Sequence, residues 1–417
     1  MYPRTATPKG CDEETLGYIC QIGSRLDDDS VVNEISNLLG LDFVLDNQVV
    51  REASPGSPWT KLGSTNGFII DNHRALLKRV IVERFYAMLN TDYRGMSALD
   101  MVELGLADTV KLFTKNEPHN ARKLAEGRLR QISCVSICWN TISRLLYGRQ
   151  NREEKHVWNC GSIPSLCGMG SSDDDLKYLS SVWEGQGFHN LAEADVSGWD
   201  WSVQAWELAA DAERRILLCG AGPRLQRLMR NTHYVMSMKV FQLSSGKCIS
   251  QARPGVLPSG WYCTTTTNSF VRSLAAHLVG ARFYRVLGDD SVESFVDGAK
   301  LRYEELGHDV KFYNRCDTTL EFCSRAWRAG DWRAKLTSWP RTFYRILCQL
   351  PSCDFRRQFE FELRHNDELS RCLEVLKLVG WDQQIAQDRD ASKEEDNQRE
   401  ADDGSAESAE PAGSSTE

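Results

Sequence analysis

The sequence predicts an α+β protein whose strands pair in antiparallel hairpins. Residues 281–296 hold two short segments rich in β-branched and aromatic side chains on either side of Gly288, Asp289 and Asp290, a pattern typical of two strands joined by a tight turn. A second hairpin is predicted over residues 234–250, and amphipathic helical periodicity recurs elsewhere in the chain. This combination of hairpins and helices indicates the α+β class.

The other elements follow from periodicity and from breaker residues. Helices are predicted over 13–23, 29–39, 71–89, 97–105, 133–150, 200–220, 298–306, 339–350 and 360–379, and further strands over 109–115, 309–313 and 320–324. A strand is also predicted to end at Asp195. Two prolines and a glycine fix residues 54–58 as an extended loop, and residues 162–175 are predicted to form another.

Composition indicates a globular protein with reduced thiols. The 417 residues are 41% hydrophobic and 26% charged, enough for one large multi-lobed domain or two to three ordinary ones. The sequence has no apolar run of membrane-spanning length and no apolar signal region at its start, so neither secretion nor a transmembrane segment is expected. The 14 cysteines lack a CxxC pair. A shared metal at His308, Cys316 and Cys323 is less favoured than buried thiols, because their spacing is irregular.

The negative charge of the chain is concentrated at its C-terminal end. The net charge is −8, yet residues 382–417 contain twelve acidic and three basic residues, which leaves 47 basic and 46 acidic residues over 1–381. Residues 382–417 also have almost no large apolar side chains, so they cannot bury enough surface to offset the entropy of ordering. We therefore expect a disordered acidic tail and a nearly neutral body, which does not exclude a nucleic-acid partner.

Four aspartates are candidates for chemistry. Asp289 and Asp290 lie at the predicted turn, where Gly288 allows the backbone to bend and aim two adjacent carboxylates at one point, a natural seat for divalent cations. Asp195 ends a predicted strand, and Asp200 begins the helix that follows. The alternatives are that aspartates in turns only bond their own backbone and that Asp200 is an ordinary helix N-cap.

The densest basic segment lies between residues 111 and 130. Arg128 and Arg130 are two apart, so on an extended strand both would face one side and could clamp phosphate oxygens. Lys115 and Lys123 lie in the same segment. The alternative is a solvated basic surface in which these residues alternate with acidic ones.

A run of four threonines marks a third candidate. If a helix begins near Gly260, then Gly260, Thr264 and Asn268 share one face of it. Threonine runs are poor helix formers, and such a breach of local propensity is typical of a functional segment. A threonine-rich strand is the alternative.

In chain order, six segments resemble the palm and fingers motifs of viral RNA-dependent RNA polymerases, most closely those of sobemoviruses, poleroviruses and their barnavirus-like relatives. The segments are Ser54-Pro-Gly-Ser-Pro, Lys115-x-Glu-Pro-His with Glu126-Gly-Arg-Leu-Arg-Gln-Ile, Asp195-x4-Asp200, Ser259-Gly-x3-Thr264-x3-Asn268, Gly288-Asp-Asp and Phe322-Cys-Ser. Each is unspecific alone, but six in the family's order are specific, and the Lys-x-Glu-Pro-His segment narrows the resemblance to the sobemovirus and polerovirus type.

The resemblance implies a right-hand polymerase with an antiparallel palm sheet backed by helices. Fingers, with an N-terminal extension and part of the palm, would occupy residues 1–190. The palm would occupy 191–330 with a fingers insertion near 225–255, the thumb 331–381, and the disordered acidic tail 382–417.

The resemblance also implies a role for each site residue. Asp195, Asp289 and Asp290 would bind two Mg²⁺ ions, for which Mn²⁺ can substitute, and catalyse nucleotidyl transfer. Lys311 would protonate pyrophosphate, with Arg315 as the competitor for that role. The residues that would bind the ribonucleoside triphosphate are Lys115, Lys123, Arg128, Arg130, Asp200, Thr264 and Asn268, of which Asn268 and Asp200 would read the ribose 2′-hydroxyl. Ser54, Gly56, Ser259 and Gly260 would bind template.

The implied partners are a single-stranded RNA template, nascent RNA and ribonucleoside triphosphates, with a genome-linked protein primer and other viral replication proteins as further candidates. Whether initiation is primed or de novo stays open. The implied location is the cytoplasm of an infected host cell, in a membrane-associated replication complex. A reverse transcriptase is disfavoured because such enzymes carry a bulky aromatic where this chain has Asp200. A catalytically silent RNA-binding scaffold would have lost an acidic ligand, and a structural protein predicts no such ordered set of motifs.

Overall fold

The computed structural model describes residues 2–386 except 116, 119, 120 and 128, and for Lys123 it describes the backbone alone. Its compact units are residues 1–323 and 324–417. In the first unit the helices are α1 (Glu13–Ile22), α2 (Asp29–Leu39), α3 (Leu41–Asn47), α4 (Asn66–Asn90), α5 (Ala98–Glu103), α6 (Ala121–Ala125), α7 (Ile137–His156), α8 (Asp173–Gln186), α9 (Trp199–Ser202), α10 (Ala205–Cys219), α11 (Pro223–Ser237), α12 (Thr264–Val279) and α13 (Ala299–Glu305). The strands are β1 (Val110–Thr114), β2 (Gln131–Cys134), β3 (Leu191–Val196), β4 (Val240–Gln242), β5 (Cys248–Ser250), β6 (Tyr284–Leu287), β7 (Asp290–Ser294), β8 (Val310–Arg315) and β9 (Thr319–Phe322).

A bundle of helices forms much of the first unit. Helix α4 packs against α1, α2, α7 and α11, and its buried face includes Leu77, Ile81 and Phe85. Some of the helices begin where a short polar side chain satisfies free backbone N–H groups: Asp28 caps α2, and Ser136 caps α7. These caps fix where each helix starts, and the apolar faces fix how the helices pack.

A four-stranded antiparallel sheet, in the order β6-β7-β3-β8, carries the acidic motifs. Helix α12 packs on β6 and β7, while α13 packs on β8. Strand β9 lies against β3 and β7. A mixed helix-and-sheet structure with an antiparallel sheet backed by helices is therefore confirmed. A second sheet, β2-β1-β4-β5, pairs β1 with β4 in parallel and its other neighbours antiparallel.

Beneath the acidic sheet, buried charges are paired with one another. Arg272 on α12 and Glu293 on β7 are both fully buried, 3.5 Å apart, and the hydroxyl of Tyr303 donates to both Glu293 oxygens at 2.8 and 3.0 Å. Arg272 Nη2 also donates to Ser291 Oγ. A buried charge without such partners would cost several kcal/mol, so this network fixes α12 against the sheet.

The second unit has a small core of its own. It contains β10 (Arg325–Arg328), β11 (Asp331–Leu336), α14 (Trp339–Leu347), α15 (Cys353–Leu363) and α16 (Leu369–Leu378). Leu336, Phe359, Leu363 and Leu376 are among its buried residues. Residues 382–386 are helical, and the rest of the predicted acidic tail lies outside the described residues.

Several predicted elements are wrong in extent. The helix predicted over 133–150 begins only at Ile137, because residues 131–134 form β2. The helix predicted over 200–220 is two helices: Val203 separates them, and Gln204 with Glu207 forms a capping box that starts α10. Residues 234–237 belong to α11 rather than to a hairpin, and the helix predicted over 360–379 divides into α15 and α16.

Candidate active site

The turn between β6 and β7 places the paired aspartates. Leu287 pairs with Asp290, which leaves Gly288 and Asp289 as a two-residue turn, and Gly288 has φ +63°. A positive φ at the first turn position is what a tight hairpin needs and what glycine supplies without strain. The amide of Gly288 donates to Ser269 Oγ on α12 at 2.9 Å, so the turn is tied to the helix behind it.

Asp195 lies next to this turn because β3 pairs with β7. Ala194 is opposite Ser291, so the next residues outward, Asp195 and Asp290, are cross-strand neighbours. Like charges in that position repel one another. Desolvation, followed by the charge of Asp289 and more weakly that of Asp195, raises the pKa of Asp290 to about 6. The predicted trio of carboxylates is therefore brought together.

Lys311 is the basic residue that meets this trio. Strand β8 pairs with β3 on the side away from β7, and Lys311 Nζ donates to Asp195 Oδ2 at 2.8 Å, with both side chains nearly half exposed. Arg315, the competing candidate, instead lies over the ring of Phe295 at 4.0 Å. The geometry thus favours Lys311 over Arg315 as the cation of this site.

The donor set suits a hard divalent cation. Within the described residues, no group of three His, Cys, Asp or Glu side chains is arranged to hold a metal ion as it stands. Asp195, Asp289 and Asp290 nevertheless present carboxylate oxygens from adjacent positions, the ligand type that Mg²⁺ and Mn²⁺ prefer. Their mutual repulsion, seen in the raised pKa of Asp290, would be relieved by a bound cation. His308 is committed elsewhere, since its ring nitrogens meet Ser202 and Glu207 at 2.9 and 2.8 Å.

Asp200, which is partly buried, and Asn268, which is buried, form a polar pair beside the carboxylates. Asn268 Nδ2 donates to Asp200 Oδ1 at 2.8 Å, and Trp199 Nε1 donates to Asn268 Oδ1 at 2.9 Å. An indole can only donate and a carboxylate can only accept, so these two contacts fix which way the amide points. Burial raises the pKa of Asp200, the charge of Asp289 raises it further, and Asn268 and Arg130 oppose the shift. Asp200, Asp289 and Arg130 thus lie within electrostatic reach of one another.

The β1–β2 hairpin carries two of the predicted triphosphate contacts. Lys115 N donates to Arg130 O at 2.9 Å, and both side chains approach the carboxylate of Glu117, Lys115 at 3.0 Å and Arg130 at 3.8 Å. Glu117 therefore holds the two cations together. Arg128 and the side chain of Lys123 lie outside the described residues.

The two predicted template loops rest on one joint between β2 and α7. Pro55 O accepts from Ile137 N at 2.8 Å on one side, where Gly56 lies against the backbone of Ser136. On the other side, Ser259 Oγ accepts from Ser133 N at 3.0 Å and Gly260 N donates to Ser133 O at 2.9 Å. A Cβ on Gly260 would lie 2.3 Å from that same carbonyl oxygen, so only glycine allows this approach.

Some residues that were predicted to contact ligands make contacts within the protein that stabilise the site. Thr264 Oγ1 donates to Pro258 O and Trp261 O, both at 2.8 Å, which closes the Ser259–Gly260 loop onto the start of α12. Gly260 itself precedes the helix, so it does not share a helical face with Thr264 and Asn268 as predicted. Ser54 lies near Cys134 of the same β2–α7 joint, and its Oγ accepts from Gly56 N at 3.4 Å.

The threonine run is helical, and its buried members complete a charged cluster. Thr267 Oγ1 donates to Asp211 Oδ2 at 2.7 Å, and Arg215 Nη2 donates to Thr266 Oγ1 at 2.9 Å. Asp211 is fully buried, and the guanidiniums of Arg214 and Arg215 hold its pKa well below its usual range. The alternative of a threonine-rich strand is wrong.

The sequence did not predict the residues that support the β6–β7 hairpin and its aspartates. Ser269 supports Gly288, and the thiol of Cys323 lies close enough to the carboxyl of Asp290 to oppose the rise in its pKa. Residues 164–166 also pair with β6, because Val286 exchanges backbone hydrogen bonds with Pro164 and Leu166 at 3.0 and 2.8 Å. A serine one position after Asn268 was the available signal for the first of these. Cys323 belongs to the Phe322-Cys-Ser segment of the resemblance, but that segment did not predict its contact with Asp290.

Comparisons with known proteins identify the family of this chain. The family model described as viral RNA-directed RNA polymerase matches residues 29–339. The chain belongs to the viral RNA-directed RNA polymerase family. Membership supports the choice of an RNA polymerase over a structural protein, and divalent metal ions are general to this family.

Three viral proteins show how similar this chain is to its relatives and how much of each relative it covers. The chain is 42% identical over 318 residues to the replicase polyprotein of Southern bean mosaic virus, which covers 72% of this chain and 32% of the polyprotein. It is 32% identical over 406 residues to the RNA-directed RNA polymerase of Mushroom bacilliform virus, covering 91% of this chain and 96% of that protein. It is 31% identical over 394 residues to Protein P1-P2 of Potato leafroll virus, covering 88% of this chain and 35% of that protein. The chain thus spans about a third of the length of the curated replicase polyproteins it matches.

Proposed function

We propose that this chain synthesises RNA on an RNA template by nucleotidyl transfer from ribonucleoside triphosphates. The observation that carries the proposal is the placement of Asp195, Asp289 and Asp290 on neighbouring strands, beside the Asp200–Asn268 pair, in a chain of the polymerase family. In this proposal the genome copied is that of a positive-strand RNA virus.

The right-hand assignment is part of the same proposal. The sheet β6-β7-β3-β8 with α12 and α13 would be the palm, within residues 191–330. Residues 1–190 would contribute fingers and part of the palm, residues 225–255 a fingers insertion, and residues 331–381 the thumb. Supporting this assignment, β1 and β4 pair across that sequence gap, which joins the proposed insertion to the proposed fingers.

The reaction joins the 3′ oxygen of the growing strand to the α-phosphorus and breaks the bond to the bridging oxygen of pyrophosphate. Divalent cations, Mg²⁺ or Mn²⁺, held by Asp195, Asp289 and Asp290 would make the hydroxyl more acidic and neutralise phosphate charge. Lys311 can give a proton to the departing pyrophosphate, since its ammonium already lies at Asp195.

The other residues bind and orient the substrate. Arg130 and Lys115, with Arg128 and Lys123, would hold the triphosphate, and Glu117 keeps the first two side chains ordered before it arrives. Asp200 Oδ2 would accept from the ribose 2′-hydroxyl while Asn268 fixes the carboxylate through its other oxygen. Deoxynucleotides are then rejected, because a carboxylate oxygen that the bound nucleotide shields from water would be left unpaired.

Ser54, Gly56, Ser259 and Gly260 would contact template from the two loops at the β2–α7 joint. In the described residues, no helix is long and apolar enough to cross a membrane. In this proposal the enzyme works in a membrane-associated replication complex in the cytoplasm of the infected host cell, with other viral replication proteins and a genome-linked protein primer as further candidate partners. Primed and de novo initiation stay alternatives.

The test is incorporation of labelled nucleotide on an RNA template, with and without primer, in Mg²⁺ or Mn²⁺. Asp289→Ala should lower incorporation by roughly two to three orders of magnitude, the range expected when a direct transition-state contact is lost. The matched control is Asp297→Ala, an exposed acid beyond the end of β7. Equal incorporation by wild type and Asp289→Ala, or none by wild type in either metal, would refute the proposal.

A further inference from the structure

A basic groove lies outside the proposed active site, between α3, α7 and residues 8–9. It encloses a cavity of about 230 Å³ whose floor includes Val44 and Leu145. Lys9, Arg144, Arg149 and Arg152 line it, and its lining contains no Asp or Glu. The groove therefore has apolar residues and positively charged residues in its lining, and no negatively charged ones.

These four cations differ from most arginines of the first unit. Arg51, Arg79, Arg94 and Arg224, for example, are each paired with an aspartate or glutamate. Among the described residues, none of the four groove cations lies within 4 Å of a carboxylate oxygen. Their charge is left uncompensated, which favours binding of an anion.

Arg144 is the most informative member of the groove. Its Nε donates to Gln48 O at 3.0 Å and its Nη1 to Asn140 O at 3.2 Å, while Nη2 has no hydrogen-bond partner among the described residues. Burial lowers the pKa of this guanidinium. Holding a largely buried guanidinium without a carboxylate is costly, and an anion bound in the groove would offset that cost.

The groove is connected to one of the two template loops. The guanidinium of Arg144 lies over the ring of Tyr262 at 4.5 Å, and Asn140 donates to Gly260 O at 3.1 Å and accepts from Tyr262 N at 2.8 Å. The side chains of Arg144 and Asn140 therefore connect the groove to the loop. Phe43 also lines the groove, and its ring is 62% exposed, so one face is available for a base to stack on.

We infer that this groove binds the sugar-phosphate backbone of single-stranded RNA outside the active site, with Phe43 as a stacking surface for a base. Unpaired cations that follow a groove, together with an exposed aromatic ring, are the combination used to bind single strands without sequence preference. A free nucleotide offers the same phosphate chemistry, but a strand with several phosphates can engage all four cations of the lining at once.

The test compares Arg149→Gln/Arg152→Gln with Arg94→Gln/Arg224→Gln. All four arginines are exposed, so both double variants should fold, and each removes two positive charges; the control pair comes from residues already neutralised by acids. Binding of a fluorescein-labelled 20-nucleotide oligouridylate is measured by anisotropy across a salt series, without nucleotide or Mg²⁺.

The groove variant should bind roughly tenfold more weakly, and its salt slope should fall by about 1.4, or about 0.7 for each lost phosphate contact. Oligonucleotide containing 5-bromouridine should crosslink to the peptide that contains Phe43 in wild type and in the control, and not in the groove variant. Equal affinities and slopes in all three proteins would overturn the inference. So would ATP that competes with the oligonucleotide at equal phosphate concentration, since the ligand would then be a mononucleotide.

This experiment is independent of catalysis. If Asp289→Ala left incorporation unchanged, the proposed reaction would fail while the binding result would stand. Conversely, the groove variant could show normal incorporation on a short template and unchanged anisotropy. That result would refute RNA binding in the groove and would leave the proposed reaction standing.

Discussion

Lys311 Nζ and Asp195 Oδ2 are 2.8 Å apart on neighbouring strands, and Asp195 faces Asp290 on its other side. The ammonium thus compensates a carboxylate that the proposed mechanism assigns to divalent cations. Lysine and metal ion then compete for the same oxygen, which makes the exchange between them measurable.

Lys311→Met should separate these two effects. Without the ammonium, the carboxylates repel one another more strongly, so Mn²⁺ should bind several-fold more tightly, measured by electron paramagnetic resonance of free Mn²⁺. Incorporation should fall by roughly 100-fold, because the proton donor to pyrophosphate is lost. Arg315→Met, on the same strand but packed on Phe295, is the matched control for both measurements. Unchanged Mn²⁺ affinity would show that the ion pair does not compete with metal.

Sugar discrimination should depend on the Asp200–Asn268 pair. Asn268→Ala and Asp200→Ala should each lower the ratio of kcat/KM for UTP over dUTP by at least about tenfold, because the 2′-hydroxyl loses its fixed acceptor. Trp199→Phe removes the indole donor that orients Asn268 and should lower the ratio by less. Thr265→Ala, an exposed change on the same helix, serves as the control. A ratio that stays constant in all variants would mean that the sugar is read elsewhere.

The threonine run offers a matched pair for stability. Thr267→Val removes a hydrogen bond to a buried carboxylate, so the free energy of unfolding should fall by about 2 kcal/mol in urea titrations. Thr265→Val, two residues earlier and exposed, should change it by less than about 0.5 kcal/mol. Equal effects at the two positions would contradict the role assigned to the Asp211 cluster.

The raised pKa of Asp290 predicts a pH dependence of stability. Its pKa is about 6 in the folded protein and about 4 in an unfolded chain, so the fold binds this proton more tightly. The resulting stabilisation is fully present below about pH 4 and is lost as pH rises through 6. In EDTA, Asp290→Asn should therefore match wild type below about pH 4 and exceed it at pH 7.5, by about 1 kcal/mol once the exposure of Asp290 is allowed for.

The same comparison in Mg²⁺ supplies the internal check. A bound cation favours the ionised carboxylate, so Mg²⁺ should stabilise wild type and have little effect on Asp290→Asn at pH 7.5. If the variant and wild type show the same pH dependence of stability in EDTA, the pKa of Asp290 is not raised in the folded protein.

The carboxylates could be predicted from sequence because their positions depend on local geometry. A glycine before two aspartates between β-forming segments is enough to specify a tight turn, and this prediction is confirmed by the β6–β7 hairpin. The roles of the site residues stay predictions, since they concern ligands rather than contacts within the chain.

The errors came from tertiary contacts and from local signals that were not used. The capping box of Gln204 and Glu207 was legible in the sequence and marks the break between α9 and α10. Pro223 at the first turn of α11 likewise indicated a helix start, but residues 224–233 were assigned no element and residues 234–237 were assigned to a hairpin. No local pattern, however, could show that Thr267 meets Asp211 from 56 residues away.

The Asp211 cluster restricts how this protein can be recombined with its relatives. Helix α12, which carries Asn268, is bound through Thr266 and Thr267 to charges on α10 and, through Asn151, to α7. A chimera that exchanged the segment 259–268 alone would bring foreign side chains against an unaltered buried aspartate. A chimera that receives the sugar-reading helix from a relative should therefore keep its function only if residues of all three helices come from the same donor. This restricts where the crossover points of chimeric polymerases can be placed.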